Sequence, residues 1–199
     1  AYHGDSSACL IHRGELIAAA EEERFNRLKH WSGFPAEAIL FCLRAGGISL
    51  REVEHVALNR RPWANFWRKL CFTLSSRPAS GLVGRRLSNA RQWLFLREQF
   101  DRAFGAGFLK ARLHFIEHHR AHLASSFLVS PLESAAVLSV DGFGDFSSSA
   151  WGAGHGNRLE IKGRVFFPHS LGLLYLALTQ FLGFDNYGDE YKVMGLAPY

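Results

Sequence analysis

The chain contains little sulfur, with three cysteines and one methionine among its 199 residues. Cys9, Cys42 and Cys71 are far apart, odd in number and include no CxxC pair. We therefore expect neither a disulfide framework nor a zinc ribbon. We interpret the three residues as reduced core thiols of a cytoplasmic protein.

Long apolar runs are also missing. No stretch approaches the ~18 to 20 uncharged apolar residues that a transmembrane helix needs, so we expect no transmembrane segment. Hydrophobic residues make up 48% of the chain and charged residues 21%, which is typical of a soluble protein with a substantial core. The composition argues against a disordered chain.

A starting methionine is absent, since the first residue is Ala1, and the chain stops at a turn-like sequence before Tyr199. We expect a piece of a longer protein, in which the lack of a signal peptide carries little information.

Acidic residues are missing from the segment 59–97, and this segment accounts for the net charge of +5 of the whole chain. The segment contains the basic residues Arg60, Arg61, Arg68, Lys69, Arg77, Arg85, Arg86, Arg91 and Arg97. Nucleic acid, an anionic membrane surface and an acidic patch elsewhere in the protein are all compatible partners. The helical spacing of Trp63 and Trp67, and of the region from Trp93 to Phe100, favours helices that pack on the protein body.

The remaining pattern alternates short apolar runs with amphipathic stretches, which predicts a mixed α/β fold. Strands are predicted at 8–11, 16–20, 55–58, 112–116, 135–140 and 159–166. Helices are predicted at 35–45, from 118 to near 130, and at 170–181 with Ser170 as the cap. The run 135–140 is apolar throughout and predicts a fully buried strand. The tail 186–195 is predicted to be a polar loop.

Two small loops are suited to anions because glycine lets backbone N–H groups approach a phosphate closely. The first is 2–7, which contains His3 and Ser6, and the second is 141–145, which contains Gly142 and Gly144. For the first loop alone, an ordinary polar turn is the more frequent explanation. Lys192 in the tail is a further residue that could meet a phosphate.

Two histidines, His118 and His122, have an i, i+4 spacing that places both imidazoles on one face of a helix. Asp141 follows the apolar run 135–140 and could supply a third ligand to one ion. Such pairs of histidines often have no ligand role, and the missing glutamate beside His118 excludes an HExxH metalloprotease. The conjunction with Asp141 favours a reactive metal site with open coordination positions.

Several segments together resemble the N-terminal part of the carbamoyltransferases that modify nodulation factors and antibiotics such as cephamycins, novobiocin and tobramycin. The segments are YHGDSSACL, EEERFNRLKHWSGFP, HHRAHLASSF, VLSVDGFGD, FPHSLGLLY and GDEYKVMGLAPY. The resemblance implies an actin- and sugar-kinase-like (ribonuclease H-like) domain, incomplete here, in the branch shared with tRNA threonylcarbamoyl-transfer proteins. Residues 1–199 would be its N-terminal part, with a basic helical insertion at about 60–110.

The resemblance also implies an activity. A separate C-terminal domain, absent from this sequence, would make carbamoyl-adenylate from carbamoyl phosphate and ATP, and the N-terminal domain would pass the carbamoyl group to an acceptor hydroxyl. We expect the 199-residue chain alone not to complete this turnover. No nucleic acid partner is expected, and a homodimer is compatible with the resemblance.

By the same resemblance, His118, His122 and Asp141 match the ligands of a divalent metal, with iron favoured, and a further aspartate would follow downstream. His3 matches a histidine implicated in transfer, although Gly4 separates it from the aspartate that directly follows in many members. The residues expected near ATP or carbamoyl-adenylate are Ser6, Lys29, Gly142, Gly144 and Lys192.

Two other functions are compatible with the sequence. A threonylcarbamoyl-transfer protein acting on tRNA would use the basic segment 59–97, and its binding would depend steeply on salt. A nonenzymatic nucleotide-binding or membrane-docking module would use the same segment and would bind anionic vesicles.

Overall fold

The computed structural model describes residues 5–76, 95–186 and 188–199, and the chain divides into two compact units. The first unit comprises Ala1–Ala57 and Pro78–His114, and the second comprises Leu58–Arg77 and Phe115–Tyr199. His3, Tyr187 and the stretch 77–94 lie outside the described residues.

The first unit begins with an antiparallel hairpin of strands β1 (Ser7–His12) and β2 (Glu15–Glu21). Arg13 and Gly14 form the turn at φ values of 51° and 86°, a conformation that glycine adopts without strain. The strands predicted at 8–11 and 16–20 are confirmed.

Helices supply the rest of the core of the first unit. The unit also contains α1 (Glu23–Asn26), α2 (Ala36–Gly46), the 3-10 helix Leu50–Glu52, and α4 (Leu96–Phe104). Cys42 on α2 is buried, and its thiol contacts backbone carbonyls of both hairpin strands. On α4, Leu96 and Phe100 are buried, and the Phe100 ring packs edge-on against Phe34. The helix predicted at 35–45 is confirmed within one residue at each end.

Strands β3 (His55–Leu58) and β4 (Arg112–Phe115) pair in a second two-stranded sheet. The guanidinium of Arg97 donates hydrogen bonds to the carbonyls of Leu109 and Ala111 just before β4. These contacts give one basic residue of the segment 59–97 a structural role.

The second unit is built on an antiparallel sheet in the order β5-β6-β7. Its elements are α3 (Phe66–Ser76), α5 (His118–Phe127), β5 (Ser134–Gly144), β6 (Ser147–His155), β7 (Arg158–Phe166), α6 (Leu171–Phe181) and α7 (Glu190–Leu196). Leu123 and Phe127 of α5 pack against Val137 and Ala150 of the sheet to form its core. Burial of a leucine, phenylalanine or valine side chain stabilises the fold by roughly 1.5–3 kcal/mol.

Helix α3 lies in the basic segment and packs through residues other than the two tryptophans. Phe72 packs edge-on against Phe167, and the guanidinium of Arg68 lies 4.0 Å from the ring centre of Phe166. Trp63 precedes the helix, and 66% of its surface and 74% of that of Trp67 are exposed. The predicted helices of this region do pack on the protein body, through Phe72 and Arg68 on α3 and through Leu96 and Phe100 on α4, although Trp63 and Trp67 are themselves exposed. Trp93 lies outside the described residues.

Strand β5 differs from the prediction in length and burial. It continues to Gly144 instead of ending at residue 140. Leu138 and Val140 point away from α5 and are 68% and 49% exposed, so the expected fully buried strand is wrong. An alternating burial pattern follows because α5 covers only one face of this antiparallel sheet.

Three further predictions need correction. The polar tail contains helix α7, because the run from Glu190 continues at helical spacing despite Gly195. Helix α5 ends at Phe127, before the predicted stop near residue 130. Cys9 and Cys71 are exposed, so only one of the three thiols belongs to the core.

The α/β class is confirmed by these small sheets and flanking helices. The actin- and sugar-kinase-like architecture stays a prediction. Within the described part of the chain, every helix is too short or too polar to cross a membrane.

Helix α2 begins on a buried carboxylate. Glu22, only 5% exposed, accepts hydrogen bonds from the backbone N–H groups of Ala38 (2.9 Å) and Glu37 (3.3 Å). Pro35 at the N-cap has no capping side chain, so Glu22 supplies the acceptor for the first helical turn.

We expect Glu22→Ala to lower the free energy of unfolding by about 1–3 kcal/mol, because two backbone donors lose their acceptor. Glu37→Ala, on the exposed surface of the same helix end, should cost less than about 1 kcal/mol. Denaturant unfolding of both variants would measure the difference. Equal losses would show that the buried hydrogen bonds of Glu22 do not stabilise α2.

Candidate metal centre

The first turn of helix α5 carries the predicted ligand His118, and Glu117 caps it. The Glu117 carboxylate accepts hydrogen bonds from the backbone N–H groups of His119 (3.2 Å) and Arg120 (2.9 Å). It also pairs with the guanidinium of Arg164 on β7 at 3.0 Å. Burial alone would raise the pKa of Glu117, but these hydrogen bonds, led by that of Arg164, outweigh it and lower the pKa. The carboxylate therefore stays charged at the positive end of the helix.

A second carboxylate, that of Asp145, holds the residue at which the helix starts. Its Oδ2 accepts hydrogen bonds from the backbone N–H of His118 at 3.0 Å and from that of Arg61 at 2.8 Å. Arg60 lies 3.9 Å from the other oxygen. The backbone of His118 is thus fixed by a residue in the turn after β5.

The third predicted ligand, Asp141, lies where β5 leaves regular pairing with β6. The register shifts between Val140 and Gly144, so Asp141 belongs to an irregular part of the strand. The Ser170 hydroxyl lies within hydrogen-bond distance of the carbonyls of Asp141 (3.2 Å) and Gly142 (2.8 Å). This contact fixes the backbone that carries Asp141.

Two glycines allow close approach around this backbone. A Cβ on Gly144 would overlap the imidazole of His118, so only glycine leaves room for that ring. A Cβ on Gly172, in the first turn of α6, would lie 2.6 Å from the nitrogen of Gly142. Neither position accommodates a side chain unless the backbone or a ligand moves.

The three predicted ligands converge on one point. The Nε2 of His118 lies 2.6 Å from the Oδ2 of Asp141 and 3.0 Å from the Nε2 of His122. The distance from the Nε2 of His122 to the same carboxylate oxygen is 3.6 Å. Metal–ligand bonds of about 2.1 Å at right angles would separate ligand atoms by about 3.0 Å, so the triangle fits one metal ion.

The charges of this triad are coupled. Hydrogen bonds from His118, then from His122, hold the pKa of Asp141 well below its usual range. The same carboxylate raises the pKa of His122 above its ordinary value. A carboxylate that stays ionised and two imidazoles are a donor set suited to Fe²⁺ and other divalent metals.

Other residues predicted for the second unit have protein partners. The N–H of Gly142 donates to the Oδ1 of Asp141 at 2.6 Å, and Gly144 packs beneath His118. Lys192 on α7 pairs with the buried carboxylate of Asp189 at 2.7 Å. That contact raises the pKa of Lys192. Phosphate binding by these residues stays a prediction.

The predicted residues of the first unit are Ser6 and Lys29, while His3 lies outside the described residues. Ser6 is buried, and its hydroxyl donates to the carbonyl of Gly33 at 2.8 Å. Its backbone N–H donates to the carbonyl of Trp31, so both donors fix the loop around Trp31. Lys29 lies in an exposed turn.

The sequence left the supporting carboxylates Glu117 and Asp145 without a role. Glu117 carried a signal, since an acidic residue directly before a helix is a candidate cap. Asp145 carried none, because its partner Arg61 is 84 residues away in the sequence and offers a backbone donor. Ser170 was predicted only as a helix cap, which it is, through the N–H of Leu173.

The sequence is similar to those of several known proteins. An uncharacterised protein of Synechocystis is 40% identical over 206 residues, which cover 100% of this chain and 34% of that protein. Nodulation protein NolNO of Sinorhizobium fredii is 36% identical over 198 residues, covering 98% of this chain and 28% of its own length. Nodulation protein NolO of Bradyrhizobium diazoefficiens is 45% identical over 86 residues, covering 42% of this chain and 15% of its own length.

The chain spans about a third of the length of the first two of these relatives. The carbamoyltransferase N-terminus family matches it over residues 1–199. Because that match covers the whole chain, the protein belongs to the carbamoyltransferase N-terminus family.

Proposed function

We propose that the complete protein is an O-carbamoyltransferase that moves a carbamoyl group from carbamoyl-adenylate to a hydroxyl of a small molecule or sugar. Carbamoyl-adenylate would be made from carbamoyl phosphate and ATP by a further domain. The observation that carries the proposal is the convergence of His118, His122 and Asp141 in a chain of the carbamoyltransferase family.

The chemistry requires a base and stabilisation of a departing phosphate. The acceptor oxygen attacks the carbamoyl carbon, the bond from that carbon to the adenylate oxygen breaks, and its electron pair leaves with AMP. The hydroxyl proton passes to a base, for which His3 is the candidate. Lys29 and the backbone amides near Ser6 would offset charge on the departing AMP.

The residues that would hold a divalent metal, with iron as the first candidate, are His118, His122 and Asp141. A metal bound there would polarise the carbamoyl oxygen and bind phosphate oxygens. Three protein ligands leave coordination positions open for substrate. Asp141 would bind through Oδ2, since its Oδ1 accepts the N–H of Gly142.

The decisive experiment uses the complete protein with ATP, carbamoyl phosphate and a panel of hydroxyl acceptors. We expect AMP to form from ATP only when carbamoyl phosphate is present, and His118→Ala to abolish carbamoylated product because the metal is lost. His155→Ala, an exposed histidine of β6, is the matched control and should leave turnover unchanged. Normal transfer by His118→Ala would contradict the metal assignment.

A pair of glycine variants tests the packing beneath His118. We expect Gly144→Ala to weaken Co²⁺ binding by about 10–100-fold, because the added methyl group must displace the ligand ring. Gly142→Ala has nothing within 4 Å of the new Cβ and should change Co²⁺ affinity little. Visible absorption of Co²⁺ during titration would measure both affinities. Equal effects would show that the close contact with His118 does not govern metal binding.

The pKa of His122 predicts how metal binding depends on pH. Hydrogen bonding to Asp141 raises it above 6.5, and a metal must displace the proton. As the pH is lowered, apparent Co²⁺ affinity should therefore begin to fall while the pH is still above 6.5, by roughly tenfold per pH unit for each proton displaced. Titrations from about pH 6 to about pH 8.5 would measure this slope, and a flat profile would contradict it.

The pH dependence of the stability of the metal-free fold should have the opposite sign to that of metal affinity. A histidine whose pKa is raised in the folded state contributes stability below its unfolded value, and that stability is lost as pH rises through the folded pKa. The contact between His122 and Asp141 thus favours the metal-free fold at low pH and the metal-bound state at high pH.

A further inference from the structure

Asp145 is a buried carboxylate at a sharp turn, and no ligand or substrate role accounts for it. Its side chain is only 1% exposed. One oxygen accepts two backbone N–H groups, those of Arg61 and His118, which are distant in sequence. Burying a carboxylate is costly unless it is paired and hydrogen-bonded, and Asp145 has both kinds of contact, since Arg60 lies 3.9 Å away.

The turn that carries Asp145 has an unfavourable backbone. Asp145 and Phe146 have φ values of 50° and 75°, a combination usually found in turns built from asparagine and glycine. The backbone is held because Asn65 donates to the carbonyl of Asp145 at 2.8 Å and the ring of Phe146 packs near those of Phe72 and Phe167. Such conformations persist only where surrounding contacts determine them.

We propose that Asp145 is a positioning residue for the candidate metal centre. Its carboxylate fixes the backbone of His118, and the imidazole of His118 must lie between Asp141 and His122 to complete the triad. Loss of Asp145 weakens metal binding although Asp145 binds no metal. This inference rests on the proposed function, since it requires the triad to hold a metal.

A general loss of stability is the alternative explanation for such an effect, and the first unit offers a matched control. Glu22 is also a buried carboxylate that accepts two backbone N–H groups at the start of a helix. None of the three triad residues lies in that unit. Glu22→Ala therefore removes the same kind of contact away from the ligands.

The experiment titrates Co²⁺ into the complete protein and its variants and follows visible absorption, with thermal unfolding of each metal-free variant recorded in parallel. We expect Asp145→Ala to weaken Co²⁺ binding by about 10–100-fold, as for other residues that orient metal ligands. Asp145→Asn keeps an acceptor oxygen and should lose less than about 10-fold but measurably, because a neutral acceptor bonds more weakly. Glu22→Ala should unfold at a lower temperature and bind Co²⁺ as the wild type does.

Each result decides between the hypotheses. Wild-type affinity in Asp145→Ala would overturn the positioning role, and so would equal losses in Asp145→Ala and Glu22→Ala. If Asp145→Ala does not fold, an unchanged affinity in Asp145→Asn would overturn it instead. Failure of the complete wild-type protein to bind Co²⁺ would refute the metal site of the proposed function itself, and the positioning role with it.

Discussion

The close approach of strand β5 to the first turn of helix α5 is the constraint on which the candidate metal centre depends. A side chain at Gly144 would overlap the imidazole of His118, so the strand can pass beneath that ring only with glycine there. Asp141 lies three residues earlier, in the part of β5 where pairing with β6 is irregular. The approach therefore brings a carboxylate and two histidines together, although the carboxylate is 19 residues or more from either histidine in sequence.

Three carboxylates surround this contact, and their partners distinguish their roles. Glu117 pairs with Arg164, and Asp145 lies near Arg60, so both have a cationic side chain that offsets their charge. Among the described residues, Asp141 pairs with histidines instead of a lysine or an arginine. Once a metal has displaced their protons, the two imidazoles are neutral and the ionised carboxylate leaves the ligand set with a net negative charge, which favours a divalent cation electrostatically. The two neutralised carboxylates organise the backbone without competing for that cation.

Local pattern predicted most of the elements and singled out the three side chains that converge, but it did not predict the contacts that hold them in place. The i, i+4 spacing of His118 and His122 is a property of one helix, so the sequence was enough to place both on one face. Asp141 was predicted at a strand end, and the irregular stretch of β5 is close to that expectation. Asp145 could not be predicted, because its partners are backbone groups whose positions depend on the folded chain. The exposure of Trp67 could not be predicted either, because helical spacing alone does not show which face of its helix packs.

The donors at the start of α5 decide how this site could bind a phosphate. The N–H groups of His118, His119 and Arg120 donate to the carboxylates of Asp145 and Glu117, and that of the next residue donates to the Glu117 carbonyl. A helix N-terminus binds anions through free N–H groups and its dipole, and here protein carboxylates already use both. The start of α5 therefore offers a phosphate no free N–H group, so a phosphate near the triad would depend on a metal on His118, His122 and Asp141 or on donors from other parts of the protein. This makes the geometry of those ligands, and of Asp145 that fixes the first of them, the property on which substrate binding would depend.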